Sequence, residues 1–153
     1  MENEKTIDVL NNLIQINNDR IEGYETASKE TEEQDLITFF GELTQTSLHC
    51  KNELSHEVTR LGGTPTDSTK TTGKFFRVWM DVKAALTGKD RKAIINSCEY
   101  GEDVALETYE KALSDDAENL TAELQGIIKK QHSLLKADHD KVKFMKEGLA
   151  EQD

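Results

Sequence analysis

The sequence predicts an all-α fold of four long amphipathic helices and one short one, and three observations carry that expectation. Apolar residues recur at alternating steps of three and four along most of the 153 residues, the spacing that gathers side chains onto one face of a helix. A single proline, Pro65, leaves nearly the whole chain free of helix breakers. No segment alternates apolar and polar residues with period two over a useful length, so no strand is expected.

The first helix, about 3–29, carries Ile7, Leu10, Ile14, Ile21 and Tyr24, with Asn17 and Ser28 completing the stripe. Thr31 followed by Gln34 reads as a capping box opening a second helix, about 32–62. Its stripe is Leu36, Phe40, Leu43, Ser47, Cys50, Leu54, Glu57 and Leu61, and Gly62-Gly63 ends it. The stretch from Gly62 to Gly73 is rich in Thr, Ser and Gly and reads as a crossover. It leads to a shorter helix, about 74–87, with Phe75, Val78, Trp79, Val82 and Leu86 on its apolar side. Gly88 is the expected stop and Asp90 the expected cap of the next helix. That helix, about 90–113, carries Ile95, Cys98, Glu102, Ala105, Tyr109 and Ala112, and Ser114-Asp115-Asp116 is read as the turn after it. The last, about 117–149, carries Leu120, Leu124, Ile127, Gln131, Leu134, Asp138, Val142, Met145 and Leu149. Two short hairpin turns and one long central connection describe a ferritin-like four-helix bundle, with the extra short helix inside the crossover and the second and third long helices parallel. The length fits one domain over residues 1–153.

Composition narrows the function. With 19 Lys+Arg against 30 Asp+Glu the net charge is −11, the wrong sign for binding nucleic acid or an anionic membrane. No apolar run approaches the roughly 18–20 residues of a membrane span, and Met1-Glu2-Asn3-Glu4-Lys5 does not open a signal peptide. Cys50 and Cys98 face inward on diagonal helices, too far apart to bridge, and no cationic stripe residue stands beside them to activate a thiolate. Two free buried thiols fit a reducing cytoplasm. No Gly-rich phosphate loop, nucleophile elbow or Cys-x-x-Cys is present.

Function in the core of a bundle should show as polar residues on the buried stripe: here Asn17, Ser47, Glu57, Glu102, Gln131 and Asp138, beside Tyr24 and Tyr109. A buried carboxylate is costly unless paired, protonated or bound to a cation. Glu102, Gln131, Glu57 and Asp138 are therefore the candidate ligands for an iron, manganese or zinc ion. Against that, Glu102 simply hydrogen-bonds Tyr or Gln partners and fixes helix register. The ferritin-like di-metal pattern needs a Glu from each of two helices and a Glu-x-x-His from each of the others. The one match, Glu53-Leu54-Ser55-His56, has the wrong phase, with His56 pointing away from the core, and His132 and His139 lie off the stripe. Counting layers from the turns places Glu57 beside the start of the chain and Glu102 near Leu10, Cys50 and Gln131. The same count puts Asp138 near Asn17 and Leu43, so the acids do not converge and no metal or other cofactor is expected. Gly23, Gly41 and Gly126 sit inside long helices, each costing about 1 kcal/mol relative to Ala. Close approach of the Trp79 helix or of a second subunit explains that cost; simple tolerance is the alternative.

The runs Arg60-Leu61-Gly62-Gly63-Thr64-Pro65, Trp79-Met80-Asp81-Val82-Lys83-Ala84-Ala85-Leu86 and Cys98-Glu99-Tyr100-Gly101-Glu102-Asp103-Val104-Ala105-Leu106 are distinctive. So are Tyr109-Glu110-Lys111-Ala112-Leu113 and Ala137-Asp138-His139-Asp140-Lys141-Val142. Together they resemble an uncharacterised bacterial family, a domain of unknown function placed in the ferritin-like superfamily. The resemblance implies a four-helix bundle in a bacterial cytoplasm and no established activity; stress-associated roles belong to neighbouring ferritin-like families. The reading is a non-enzymatic helical protein with a structural or stress-related interaction role, a homo-oligomer with an unidentified protein partner. The rival is a metal-binding or oxidative protein with a non-standard carboxylate site. A carrier of a small ligand near Tyr24 or Tyr109 is a third.

Overall fold

The computed structural model describes the backbone of residues 2–69 and 74–152 and the side chains of residues 3–69 and 80–148. Five α-helices appear in order: α1 (Glu2–Glu30), α2 (Gln34–Arg60), α3 (Lys74–Thr87), α4 (Arg91–Asp115) and α5 (Ala122–Gln152). A 3-10 turn, Ala117–Asn119, joins α4 to α5, and no strand occurs among the described residues. The fold is the all-α bundle that the spacing of apolar residues predicts. Within it α1 packs on α2, α4 on α5, α1 on α4 and α2 on α5, while α3 lies against α4 and α1. Asn17 meets Tyr109 and Arg20 meets Glu102, so α1 and α4 are antiparallel. Gln131 meets Cys50 while Lys141 meets Glu42, so α2 and α5 are antiparallel too. The crossover therefore makes α2 and α4 parallel, as the long connection requires.

The helix ends have identifiable causes. Gly62 at φ +86° terminates α2, and a Cβ on Gly63 would stand 2.9 Å from Ile7, so both glycines are needed where the chain turns under α1. The Asp90 side chain accepts the backbone N–H of Ala93 at 3.1 Å and caps α4 as expected. The capping box expected at Thr31 does not form: α2 begins at Gln34 behind Glu33, and Thr31 instead accepts the Glu33 N–H. The crossover is held to α1 by amides one turn apart. Asn11 bonds the backbone of Thr64 and Thr66, Gln15 the hydroxyl of Ser68, and Asn18 the carbonyls of Thr66 and Ser68. Amide side chains can serve both donors and acceptors of a segment with no ladder of its own.

Two large apolar clusters make up most of the core, with a small third one of Ile16 and Ala105. One cluster, around Tyr24, Phe40, Leu43, Ile95 and Val142, lies toward the α1–α2 turn. The other, around Leu10, Leu13, Leu54, Leu124 and Ile128, lies toward the opposite end. Most stripe positions on α1 and α5 are buried as expected, and at three of them the adjacent residue is buried instead. On α1 the buried position is Arg20, while Ile21 is only half-buried. On α5 Ile128 and Leu135 are buried, whereas Leu134 is 37% exposed. The side chains of Phe75, Val78, Trp79 and Leu149 fall outside the described residues.

Candidate functional site

Arg20 is completely buried and stands between the two large apolar clusters, one turn from Asn17 and one from Tyr24. Its guanidinium meets Glu102 in a fork: Nε donates to Oε2 at 2.9 Å and Nη2 to Oε1 at 2.6 Å. Nη2 also donates to Asp138 Oδ2 at 3.1 Å, and Nη1 donates to the Ser47 hydroxyl. The Tyr24 hydroxyl donates to Glu102 Oε2 at 3.0 Å, and the Tyr24 ring lies 5.5 Å from the guanidinium carbon. All four bundle helices thus contribute: Arg20 and Tyr24 from α1, Ser47 from α2, Glu102 from α4 and Asp138 from α5. A planar fork matched to a carboxylate is the geometry in which arginine holds charge best away from water.

Burial alone would drive the guanidinium toward losing its proton; the charges of Glu102 and Asp138 and the Glu102 hydrogen bonds outweigh it, and its pKa rises. Burial, with Glu102 adding to it, pushes the Tyr24 phenol well above its usual range. The cation therefore stays fixed, and Tyr24 remains a hydrogen-bond donor.

A second polar layer lies one to two turns away. Asn17 Nδ2 donates to the Tyr109 hydroxyl at 2.8 Å, which donates to Gln131 Oε1 at 2.8 Å. Gln131 Nε2 reaches the Cys50 carbonyl at 3.3 Å and Glu53 at 2.8 Å. Burial raises the Tyr109 pKa well above normal and lifts the Cys50 thiol to about 12. Cys98 is pushed up by burial, with Glu102 adding to it. Arg20 is a cationic neighbour of both thiols, contrary to expectation, but it opposes burial without overcoming it.

The predicted site residues separate into three places. Glu102 and Asp138 come together on Arg20, correcting the expectation that the acids do not converge. Gln131 belongs to the Tyr109 layer instead of sitting beside Glu102. Glu57 lies toward the opposite end, 3.4 Å from Arg60 on its own helix. The error has a specific cause. Glu102 and Asp138 lie eighteen residues to either side of Leu120, and Tyr109 and Gln131 eleven. The 3-10 turn thus moves the centre of the α4–α5 hairpin to Leu120, beyond the expected Ser114-Asp115-Asp116. The expected stripe runs through the apolar Ile21 instead of Arg20. Spacing does not separate the two, since Ile21 stands four and three residues from Asn17 and Tyr24 and Arg20 three and four.

These residues do not fit a dinuclear metal centre of the ferritin-like kind. Two carboxylates face a permanent cation, and His132 and His139 are turned to Glu110 and Asp103 on the outer face of the α4–α5 pair. No group of three or more His, Cys, Asp or Glu able to hold a metal ion occurs among the described residues.

A family model described as "Domain of unknown function (DUF2383)" matches residues 5–115, from α1 to the end of α4. The chain belongs to this family. The matched segment holds Arg20, Tyr24, Ser47 and Glu102, while Asp138 is supplied by α5 beyond it. No curated protein matches the chain. No helix among the described residues is long and apolar enough to cross a membrane.

Proposed function

We propose that this protein is a non-enzymatic member of the ferritin-like superfamily from a bacterial cytoplasm, with a structural or stress-related interaction role exercised through self-association. The observation that carries this reading is the Arg20 fork on Glu102 with Asp138 beside it. A ferritin-like centre uses bound cations to offset carboxylates in the bundle core. Here a side chain supplies the cation, ties four helices together and needs no exogenous ion to do so. The two tyrosines and two thiols of the core are held protonated by burial, which removes them as nucleophiles at neutral pH. Nothing in this arrangement presents a reactive group to a substrate.

The test is metal analysis by mass spectrometry of untagged protein purified without chelator, with Glu102→Gln in parallel. The expected result is trace metal in both proteins, with no difference between them. Iron, manganese or zinc approaching one ion per chain and lost in Glu102→Gln would overturn the reading in favour of a metal-dependent or oxidative role.

A further inference from the structure

Besides its buried stripe, α5 carries a second one that faces outward. Leu134, Ala137, Lys141, Phe144 and Gly148 follow one another at steps of three and four, and Phe144 is 76% exposed. Beside it, between the start of α2 and the second half of α5, runs a hollow of about 520 Å³ with Phe39 and Met145 among its lining residues. We propose that this face is the self-association surface, seating the α5 helix of a second copy in antiparallel register about the midpoint of Asp140 and Lys141. The proposal rests on the self-association reading above and names its surface.

Three features select a second copy as the occupant. The stripe is self-complementary in size: turned end for end about the midpoint of Asp140 and Lys141, it sets the large Phe144 over the second copy's small Ala137. A two-fold interface requires one patch that fits itself in this way. The same register brings Lys141 beside the second copy's Asp140, a pairing of opposite charge at the centre. The rim is also locally balanced on a chain of net charge −11. Asp35 is held by Arg91, Glu42 by Lys141 and Asp140 by Lys136, so two acidic molecules can approach here with the least repulsion. Room for the approach exists at both edges, since no heavy atom lies within 4 Å of a Cβ position on Gly41 or Gly148.

The experiment is sedimentation equilibrium of the full chain over a wide concentration range at near-physiological salt. It includes Phe144→Asp, Gly41→Leu and, as a control on another exposed apolar side chain, Met80→Asp; circular dichroism confirms that each folds. The expected result is a wild-type dimer whose dissociation constant rises roughly thirtyfold or more in Phe144→Asp, the range of a central anchor. It rises also in Gly41→Leu and stays unchanged in Met80→Asp. A wild-type dimer indifferent to Phe144→Asp overturns this surface and leaves self-association standing. A wild-type chain that is monomeric at every concentration overturns both. A monomer that binds a basic amphipathic peptide only when Phe144 is present assigns the hollow to a foreign helix and likewise overturns the proposal.

Discussion

Replacing Arg20 with methionine keeps a long side chain in the slot but strips Glu102 and Asp138 of the cation that both share. Both carboxylates are at most 4% exposed, so water cannot take over the guanidinium's part. Removing one partner of a buried ion pair costs about 3–5 kcal/mol. With two carboxylates left facing each other, the upper half of that range is expected. For a chain of this length a loss of about 4–5 kcal/mol corresponds to a fall in Tm of roughly 12–16 °C. The assay is urea unfolding followed by circular dichroism at about pH 7, with wild type, Arg20→Met and the triple variant Arg20→Met/Glu102→Gln/Asp138→Asn. The triple variant should recover most of the loss at neutral pH, since a neutral replacement of a buried charge set is often tolerated. An Arg20→Met protein within about 1 kcal/mol of wild type near pH 7 would contradict this, because surface pairs lose no more than that.

Other outcomes follow from the same packing. Tyr24→Phe removes the hydroxyl bond to Glu102 and should cost about 1.5–3 kcal/mol in denaturant unfolding, the range for a hydrogen bond to a charged group. Tyr109→Phe unlinks Asn17 from Gln131 and should cost about 1–3 kcal/mol with no effect on oligomeric state, checked by the same titration with sedimentation. Cys50 and Cys98, buried and with raised pKa values, should resist an aromatic disulfide reagent in native buffer and react together once the protein is unfolded. The Arg91 hydrogen bond, aided by Arg91 charge and opposed by slight burial, lowers the pKa of Asp35. Its contribution is present above the ordinary carboxylate range and fades as pH falls through the folded-state value. Both side chains are substantially exposed, so Asp35→Asn should lower stability at neutral pH by less than about 1 kcal/mol and by still less in acid.

Most of the architecture was legible because a helix writes its buried face into the sequence every three to four residues. The order of helices and the burial of Ser47, Glu102, Gln131 and Asp138 follow from that spacing, and the stop at Gly62-Gly63 and the Asp90 cap from the chemistry of helix ends. Depth along the bundle was not legible, since it depends on how many residues a turn consumes. The 3-10 turn at Ala117–Asn119 displaced the α4–α5 pairing and brought together two acids that the sequence alone kept apart. Arg20 was hidden for a different reason. Charge argues for solvent at almost every position, and only the partners from three other helices reverse that. Leu134 and Leu135, adjacent and identical, offer no local clue to which faces inward; in the bundle Leu135 joins the apolar cluster and Leu134 is turned out.

The most direct test of the central claim is a crystal structure of the protein grown with iron(II), manganese or zinc present, with anomalous data collected at the metal edge. The account predicts the Arg20 guanidinium between Glu102 and Asp138, bonded to both, with no anomalous peak in the core. A metal ion bridging Glu102 and Asp138, with Arg20 displaced from between them, would contradict it.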